Sequence, residues 1–278
     1  MTAMPRFVSS THPLVNAAGR EYHLRLWRPA APRSAQGLRS LLFLDGQWLD
    51  DTLSSALAES APAGLQVASL GYRTGERSVI APWRAYDYTP AAPGERQCDP
   101  RSEDWPCGGA DALLAFLRND VLPLLGAAAG AGSALFGHSY AGLFSLYCRE
   151  RAPTLFSHIY SASPSLWWYW PRMLTLLEAG HGGAEPRRAG GPPVHLMVGG
   201  DERWRPKPAS PGLPREPGVS TVPMAQRYCA ALRELDAPAD LEVFDGQAHG
   251  PMLHSAAKHA LRQFARSCGG LDFKHESI

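Results

Sequence analysis

The amino-acid sequence predicts an α/β fold, in which helices cover both faces of a mostly parallel sheet. Short apolar runs typical of buried strands alternate with longer segments whose apolar residues recur at helical spacing. One of these strands, at residues 134–136, passes through a turn of small residues directly into a helix. Such alternation is typical of a parallel sheet, because each parallel strand needs a crossover segment before the next.

The predicted strands are short and dominated by apolar or β-branched residues. Residues 22–27 and 41–44 form the earliest strands, and 134–136 contains only Ala, Leu and Phe. Residues 194–198 are apolar enough to be buried on both faces of the sheet. In chain order, the predicted strands are residues 22–27, 41–44, 65–71, 134–136, 158–161, 194–198 and 241–244.

The predicted helices are assigned by apolar residues three and four positions apart. An Ala- and Gly-rich connection at 126–132 separates the first helix from the strand at 134–136. Gly269 and Gly270 follow the last helix, where glycine commonly terminates helices. The predicted helices are residues 111–125, 143–149, 166–179, 221–235 and 255–268.

Length and composition indicate one domain spanning residues 1–278. The chain has 278 residues with 45% hydrophobic content, which is enough for one large core. Two segments are longer than ordinary connections: residues 88–108, rich in Pro, Gly and charge, and the proline-rich residues 203–220. Long loops on a rigid scaffold often border a functional site, so we expect both to lie near it.

Charge and hydropathy exclude several classes of partner. The net charge is +1 and 19% of residues are charged, so no broad basic face is available for nucleic acid. No apolar run is long enough to span a bilayer, and residues 1–10 lack the apolar core of a signal peptide. We therefore expect a monomer in the cytoplasm. A leader removed before residue 1 would instead place it in the periplasm, where Cys98 and Cys107 could form a disulfide.

A candidate nucleophile lies at the strand-to-helix turn. Ser139 stands in the pattern G-x-S-x-A, and the small residues Gly137 and Ala141 permit the tight backbone approach that such a turn requires. An ordinary turn with a serine capping the helix is the alternative. The apolar strand before the serine and the helix after it favour a nucleophile elbow.

The order of ionisable residues along the chain supplies partners for this serine. A serine hydroxyl needs a general base, and the base needs an acid to hold its tautomer. In α/β-hydrolases the order is Ser, Asp or Glu, then His. Glu202 follows the strand at 194–198, with Asp201 as the alternative acid, and His249 follows the strand at 241–244. The sequence therefore predicts an α/β-hydrolase fold with Ser139, Glu202 and His249 as catalytic residues.

Backbone N–H groups are predicted to stabilise the oxyanion. One is that of Tyr140, the residue after the nucleophile. The second is that of Gln47, which follows the strand at 41–44 and is preceded by Gly46. The alternative for the second is a common Asp-Gly turn. No metal site and no cofactor are predicted, because no C-x-x-C or H-x-x-x-H spacing occurs.

Seven motifs occur in order over most of the chain. They are LLFLDGQWL at 41–49, GYRTGERSVIAPWRAYDYTP at 71–90, CGGADALLAFL at 107–117, FGHSYAGLFSLY at 136–147, SASPSLWW at 161–168, VGGDE at 198–202 and AHGPM at 248–252. Together they resemble the esterases of catecholate siderophores, a family within the esterase D-like group that hydrolyses the trilactones enterobactin, salmochelin and bacillibactin. The resemblance implies an α/β-hydrolase fold and hydrolysis of the serine ester bonds of a small catecholate siderophore, apo or ferric.

The resemblance also implies substrate-binding residues. Arg84 stands where the family places a site cation, which suits a ferric tris-catecholate trianion; a partner for Asp87 is the alternative. Trp83, Trp167 and Trp168 would supply aromatic walls for catechol rings, or else pack in the core. Because some relatives work largely as a Ser/His dyad, the resemblance also allows Glu202 to be dispensable.

Two other functions fit the same sequence. The chain could be a carboxylesterase or thioesterase of broad specificity. It could also be a siderophore-binding protein with little catalysis. The order Ser139, Glu202, His249 argues against a binding protein, which has no need of all three.

Overall fold

An eight-stranded sheet is the framework of the computed structural model, which describes residues 7–30, 38–59, 64–91, 98–128, 132–179, 191–202 and 221–268. Its order is β1-β2-β4-β3-β7-β8-β9-β10, and β5 and β6 form a separate hairpin. The strands are β1 (Phe7–Val15), β2 (Glu21–Pro29), β3 (Arg39–Leu44), β4 (Leu65–Tyr72), β5 (Cys98–Asp99), β6 (Ser102–Pro106), β7 (Ser133–His138), β8 (His158–Ala162), β9 (Val194–Gly199) and β10 (Ala239–Phe244).

Six of these strands are mutually parallel, as the sequence predicts. The parallel strands are β4, β3, β7, β8, β9 and β10, whereas β2 runs antiparallel to β4 and β1 antiparallel to β2. The carboxyl ends of all six therefore lie at one edge of the sheet. Strand β1 was not predicted, because it is an exposed edge strand with little apolar signal. It contains Pro13, which lacks the N–H that an inner strand would need.

Helices cover both faces of the sheet, which confirms the predicted layering. Helices α1 and α7 contribute Leu53 and Met252 to one apolar core, and α4 and α6 contribute Leu146 and Tyr228 to the other. The helices are α1 (Gly46–Glu59), α2 (Arg77–Asp87), α3 (Ala110–Phe116), α4 (Tyr140–Arg151), α5 (Arg172–Glu178), α6 (Thr221–Glu234) and α7 (His249–Ser267). Within the described ranges, no helix has the length and apolarity needed to cross a membrane.

Several helix boundaries differ from the prediction. The helix predicted at 111–125 ends as α3 at Phe116 and continues as a π-helical turn, Leu117–Val121, and a 3-10 segment. The helix predicted at 166–179 begins only at Arg172. Helix α7 begins six residues earlier than predicted, at His249. Helix α2 was missed because Pro82 lies inside it, a residue that normally argues against a helix interior.

The two predicted long loops are only partly described. Residues 98–106 of the segment 88–108 form the β5–β6 hairpin, and residues 92–97 lie outside the described ranges. Residues 203–220 also lie outside them. Cys98 and Cys107 are not disulfide-bonded in the structure. The assignment of residues 1–278 to one domain stays a prediction.

A buried carboxylate joins α2 to the antiparallel side of the sheet. Asp87, the last residue of α2, is 2% exposed and accepts hydrogen bonds from the hydroxyls of Tyr22 (2.7 Å) and Tyr72 (2.8 Å). Arg20 completes the cluster by pairing with Asp87. Burial and the nearby Asp87 charge raise the pKa of both tyrosines, so they remain protonated donors.

We expect Asp87→Ala to destabilise the protein by about 3–5 kcal/mol, because it leaves Arg20 and two hydroxyls without their buried acceptor. Asp111→Ala is the matched control, since Asp111 also accepts from a tyrosine, Tyr147, but is 64% exposed on its side chain. The control should change the free energy of unfolding by less than about 1 kcal/mol. Urea unfolding followed by circular dichroism compares the two. Equal effects would contradict a structural role for the Asp87 cluster.

Candidate active site

The turn between β7 and α4 places Ser139 in a strained conformation. Its backbone has φ 60° and ψ −117°, a region that L residues rarely occupy. The turn is so tight that a Cβ at Gly137 would lie 2.0 Å from the carbonyl oxygen of Ala141. A Cβ at Gly142 would lie 2.9 Å from the carbonyl oxygen of Ala162. Small residues are therefore required here, as in a nucleophile elbow.

Three predicted catalytic side chains lie in one hydrogen-bonded line. The Ser139 hydroxyl donates to Nε2 of His249 over 3.0 Å, and Nδ1–H of His249 donates to Oε2 of Glu202 over 2.7 Å. This tautomer follows from the partners on each side. Asp201, the alternative acid, is exposed, whereas Glu202 is buried and faces the histidine. The arrangement can activate a serine for attack on a carbonyl carbon.

The environment of Glu202 keeps it ionised. Burial opposes ionisation, but hydrogen bonds from His249, Ser163 and the Gly199 N–H outweigh it and lower the pKa of Glu202. A Cβ at Gly199 would lie 2.1 Å from the carbonyl oxygen of Gln247, so the acid loop and the histidine loop touch backbone to backbone. The acid therefore presents a fixed negative charge to the base.

A second histidine supports the catalytic one. Nε2–H of His138 donates to the carbonyl oxygen of His249 over 2.9 Å, and their ring centroids lie 4.7 Å apart. Burial first, and then repulsion by a charge on His249, lower the pKa of His138 well below its usual value. His138 therefore stays neutral when His249 takes up a proton. This role could not be predicted, because only the place of His138 directly before Ser139 marks it in the sequence.

Ser163 and Ser165, which follow β8, also reach the site. The hydroxyl of Ser163 donates to Oε1 of Glu202, and the hydroxyl of Ser165 lies 3.2 Å from that of Ser139. Both residues are buried. They lie in the motif SASPSLWW. Nothing in this motif distinguishes these two serines from serines with a purely structural role, so their place at the site could not be predicted.

The two predicted oxyanion donors begin neighbouring helices. Tyr140 is the first residue of α4 and Gln47 the second of α1, positions whose N–H groups have no acceptor within the helix. Their helices follow β7 and β3, which are adjacent and parallel, so both N-termini lie at the same edge of the sheet. The Gln47 side chain is held by the Tyr72 N–H, which donates to its Oε1 over 3.1 Å.

Arg84 is held in place by the buried carboxylate of Asp45. Its Nε and Nη2 donate to the two carboxylate oxygens of Asp45 over 2.9 and 2.8 Å, and Nη2 reaches the carbonyl oxygen of His138 at 3.4 Å. Burial opposes its charge, but Asp45 outweighs burial and raises the pKa of Arg84. The proposed alternative partner was Asp87, which is bound elsewhere. Arg84 therefore links the loop after β3 to the elbow, and its role as the cation that binds substrate stays a prediction.

The three candidate tryptophans occupy different environments. Trp168 is 0% exposed, so its predicted substrate contact is wrong and it is a core residue. Trp83 is partly buried and packs on Tyr72. Trp167 is also partly buried, and its ring centroid lies 5.6 Å from that of Tyr140, beside the nucleophile. Within the part of the chain that the structure describes, no cluster of His, Cys, Asp and Glu could hold a metal ion.

Comparisons with known proteins identify the family. Residues 15–205, more than half of the chain, match the Esterase family ("Putative esterase"). A siderophore enterobactin esterase from Emericella nidulans is 30% identical over 193 residues, 64% of this chain and 63% of that enzyme. The apo-salmochelin esterase of Escherichia coli is 29% identical over 251 residues, 86% of this chain and 74% of that enzyme.

A solved structure shows the same fold. The siderophore hydrolase EstA from Aspergillus nidulans superposes with a TM-score of 0.74 at 22% identity, over 97% of each chain. This chain spans less than two thirds of the length of the Emericella nidulans relative. The match to the Esterase family, residues 15–205, includes Ser139 and Glu202 but ends before His249. The fold brings His249 to these two residues. The chain is an α/β-hydrolase and belongs to the Esterase family.

Proposed function

We propose that the protein is a serine esterase that hydrolyses the ester bonds of a catecholate siderophore trilactone of the enterobactin type. The observation that carries the reaction type is the hydrogen-bonded line from Glu202 through His249 to Ser139 at a strained elbow. The substrate class is supported by the names of the relatives, a siderophore enterobactin esterase and an apo-salmochelin esterase. The motifs shared with that family point the same way.

The reaction follows the serine hydrolase pathway. Nε2 of His249 removes the Ser139 proton as Oγ attacks a lactone carbonyl carbon. The N–H groups of Tyr140 and Gln47 stabilise the oxyanion that forms. His249 then gives the proton to the leaving seryl hydroxyl, and the C–O ester bond breaks to leave an acyl-enzyme. Water, deprotonated by His249, attacks the acyl carbon and releases Ser139 and the free acid.

The surrounding residues stabilise the charge that this pathway creates. Protonated His249 lies against ionised Glu202, whose charge is maintained by Ser163 and the Gly199 N–H. Neutral His138 places no second positive charge beside it. Iron, where present, is part of the substrate and takes no part in the bond changes.

Ser139→Ala should abolish hydrolysis of enterobactin, with kcat falling by about 10⁶-fold as for other serine nucleophiles. Products are resolved by mass as linear trimer, dimer and monomer. Ser54→Ala is the matched control: the Ser54 hydroxyl lies in α1 without a hydrogen-bond partner among the described residues, so activity should stay within about two-fold. Unchanged turnover by the Ser139 variant would exclude the serine mechanism. Intact trilactone beside rapid cleavage of p-nitrophenyl esters would favour a broad carboxylesterase.

Glu202→Gln should lower kcat/KM by about 10³–10⁴-fold, because an amide neither fixes the His249 tautomer nor stabilises its charge. Asp201→Asn, the exposed neighbour, should stay within about two-fold. Steady-state kinetics on one ester substrate compares the variants. Comparable losses in both variants would contradict Glu202 as the acid, and full activity in the Gln variant would mean a Ser/His dyad.

The lowered pKa of Glu202 also predicts a pH dependence of stability. A depressed folded-state pKa contributes stability above the unfolded value of about 4.3, and the contribution is lost as pH falls through the folded value. The stability difference between wild type and Glu202→Gln should therefore shrink as pH falls below about 4, where Glu202 takes up a proton. Urea unfolding at several pH values between 5 and 2 measures it. A difference that stays constant or grows below pH 4 would contradict the lowered pKa.

A further inference from the structure

The β5–β6 hairpin places a second arginine on the ring of Tyr140. Arg101 lies at the turn of this hairpin, and its guanidinium carbon is 4.1 Å from the ring centroid of Tyr140, the residue after Ser139. The same carbon is 4.9 Å from the ring centroid of Trp105 and 5.6 Å from that of Trp167. We call Arg101, Trp105, Tyr140 and Trp167 the hairpin platform.

A buried carboxylate fixes the orientation of Arg101. Asp99 is 0% exposed, and its Oδ1 accepts from Nε and from the backbone N–H of Arg101, each over 2.9 Å. Its Oδ2 accepts from the hydroxyl of Tyr140. One carboxylate therefore positions both the guanidinium and the ring below it. Neither group has to be ordered when a ligand arrives, which favours binding.

The outer side of the guanidinium is open. The Arg101 side chain is 37% exposed, and among the described residues only Asp99 accepts a hydrogen bond from it. The N–H groups on its two terminal nitrogens, Nη1 and Nη2, can therefore donate to a ligand. Arg84 differs in this respect, because Asp45 occupies its Nε and Nη2.

The available donors fit a planar anion with two adjacent oxygens. A guanidinium fork binds such a pair through two parallel hydrogen bonds, and its plane also stacks on aromatic rings. A catecholate has both properties, an oxygen pair on adjacent carbons and a flat ring that Trp105 or Trp167 can contact. A distant ligand meets little net charge here, because the Asp99 carboxylate lies against the Arg101 guanidinium. Recognition of an anion by Arg101 therefore depends on direct contact and not on long-range attraction.

We propose that Arg101 binds an anionic catecholate arm of the ferric siderophore and makes the site selective for the charged substrate. This inference rests on the proposed function, since it names the part of that substrate that Arg101 holds. The hairpin platform positions this arm above Tyr140, so that the ester bonds of the trilactone lie toward Ser139.

The test measures binding without turnover. All binding measurements use the Ser139→Ala variant. Quenching of tryptophan fluorescence gives the Kd of ferric enterobactin. Competition with ferric enterobactin then gives the Kd of a neutral analogue, the trilactone whose catechol oxygens are methylated. Adding Arg101→Gln should weaken binding of the ferric ligand at least ten-fold and change the methylated one less than two-fold. Arg101→Lys should recover only part of the loss, because an ammonium cannot form the fork. Arg118→Gln, an exposed arginine on the Leu117–Val121 turn, is the control and should change neither Kd.

The same variant with Ser139 intact separates selectivity from structure. Arg101→Gln should lower kcat/KM for ferric enterobactin at least ten-fold more than kcat/KM for a neutral p-nitrophenyl ester, and the loss for ferric enterobactin should lie in KM with little change in kcat. Equal losses for the charged and neutral ligands, or no loss for either, would overturn the proposal. If the wild type fails to hydrolyse the trilactone but Arg101 still governs its binding, the proposed function fails and the binding site stands. Absence of both binding and hydrolysis overturns both.

Discussion

The sharp turn at Ser139 is the constraint on which the other parts of the site depend. A positive φ at a serine is unfavourable, and it is held by packing on both sides: Gly137 against the Ala141 carbonyl, and Gly142 against the Ala162 carbonyl. Arg84 adds a polar link by joining the His138 carbonyl to Asp45. The nucleophile and the N-terminus of α1 are thus fixed to each other before any substrate binds. Preorganisation of this kind is what lets hydrogen-bond donors stabilise a developing charge.

Parallel strands explain how residues far apart in sequence meet. Strands β7, β8, β9 and β10 are consecutive neighbours, and the segments after them supply Ser139, the Ser163–Ser165 pair, Glu202 and His249 in the same order. Each loop needs only to be short and correctly turned, because the sheet sets the spacing between them. Two members of the hairpin platform, Arg101 and Trp105, are the exception. They come from the long segment before α3, and their place depends on Asp99, which contacts Tyr140.

The parallel strands and the candidate catalytic residues could be predicted because local patterns mark them. The elbow has a required set of small residues, and the acid and base follow strands directly. Other features lack local marks. No local pattern separates Arg84 from Arg101. Only the fold shows that Asp45 occupies Nε and Nη2 of Arg84, whereas Asp99 occupies only Nε of Arg101. Helix α1 has leucines at 49, 53 and 57, a spacing that would have indicated it, but Asp45-Gly46 resembled a turn.

The separation of the catalytic residues along the chain also bears on folding. Ser139 and His249 are 110 positions apart, and Glu202 and His249 are 47 apart. Contacts over such distances form late, because the chain must first close long loops. An intermediate that has joined β3, β4 and β7 would already contain the elbow, yet it would have no base. Recovery of ester hydrolysis during refolding therefore reports the docking of β9 and β10. A measurement of helical content alone would not detect this step.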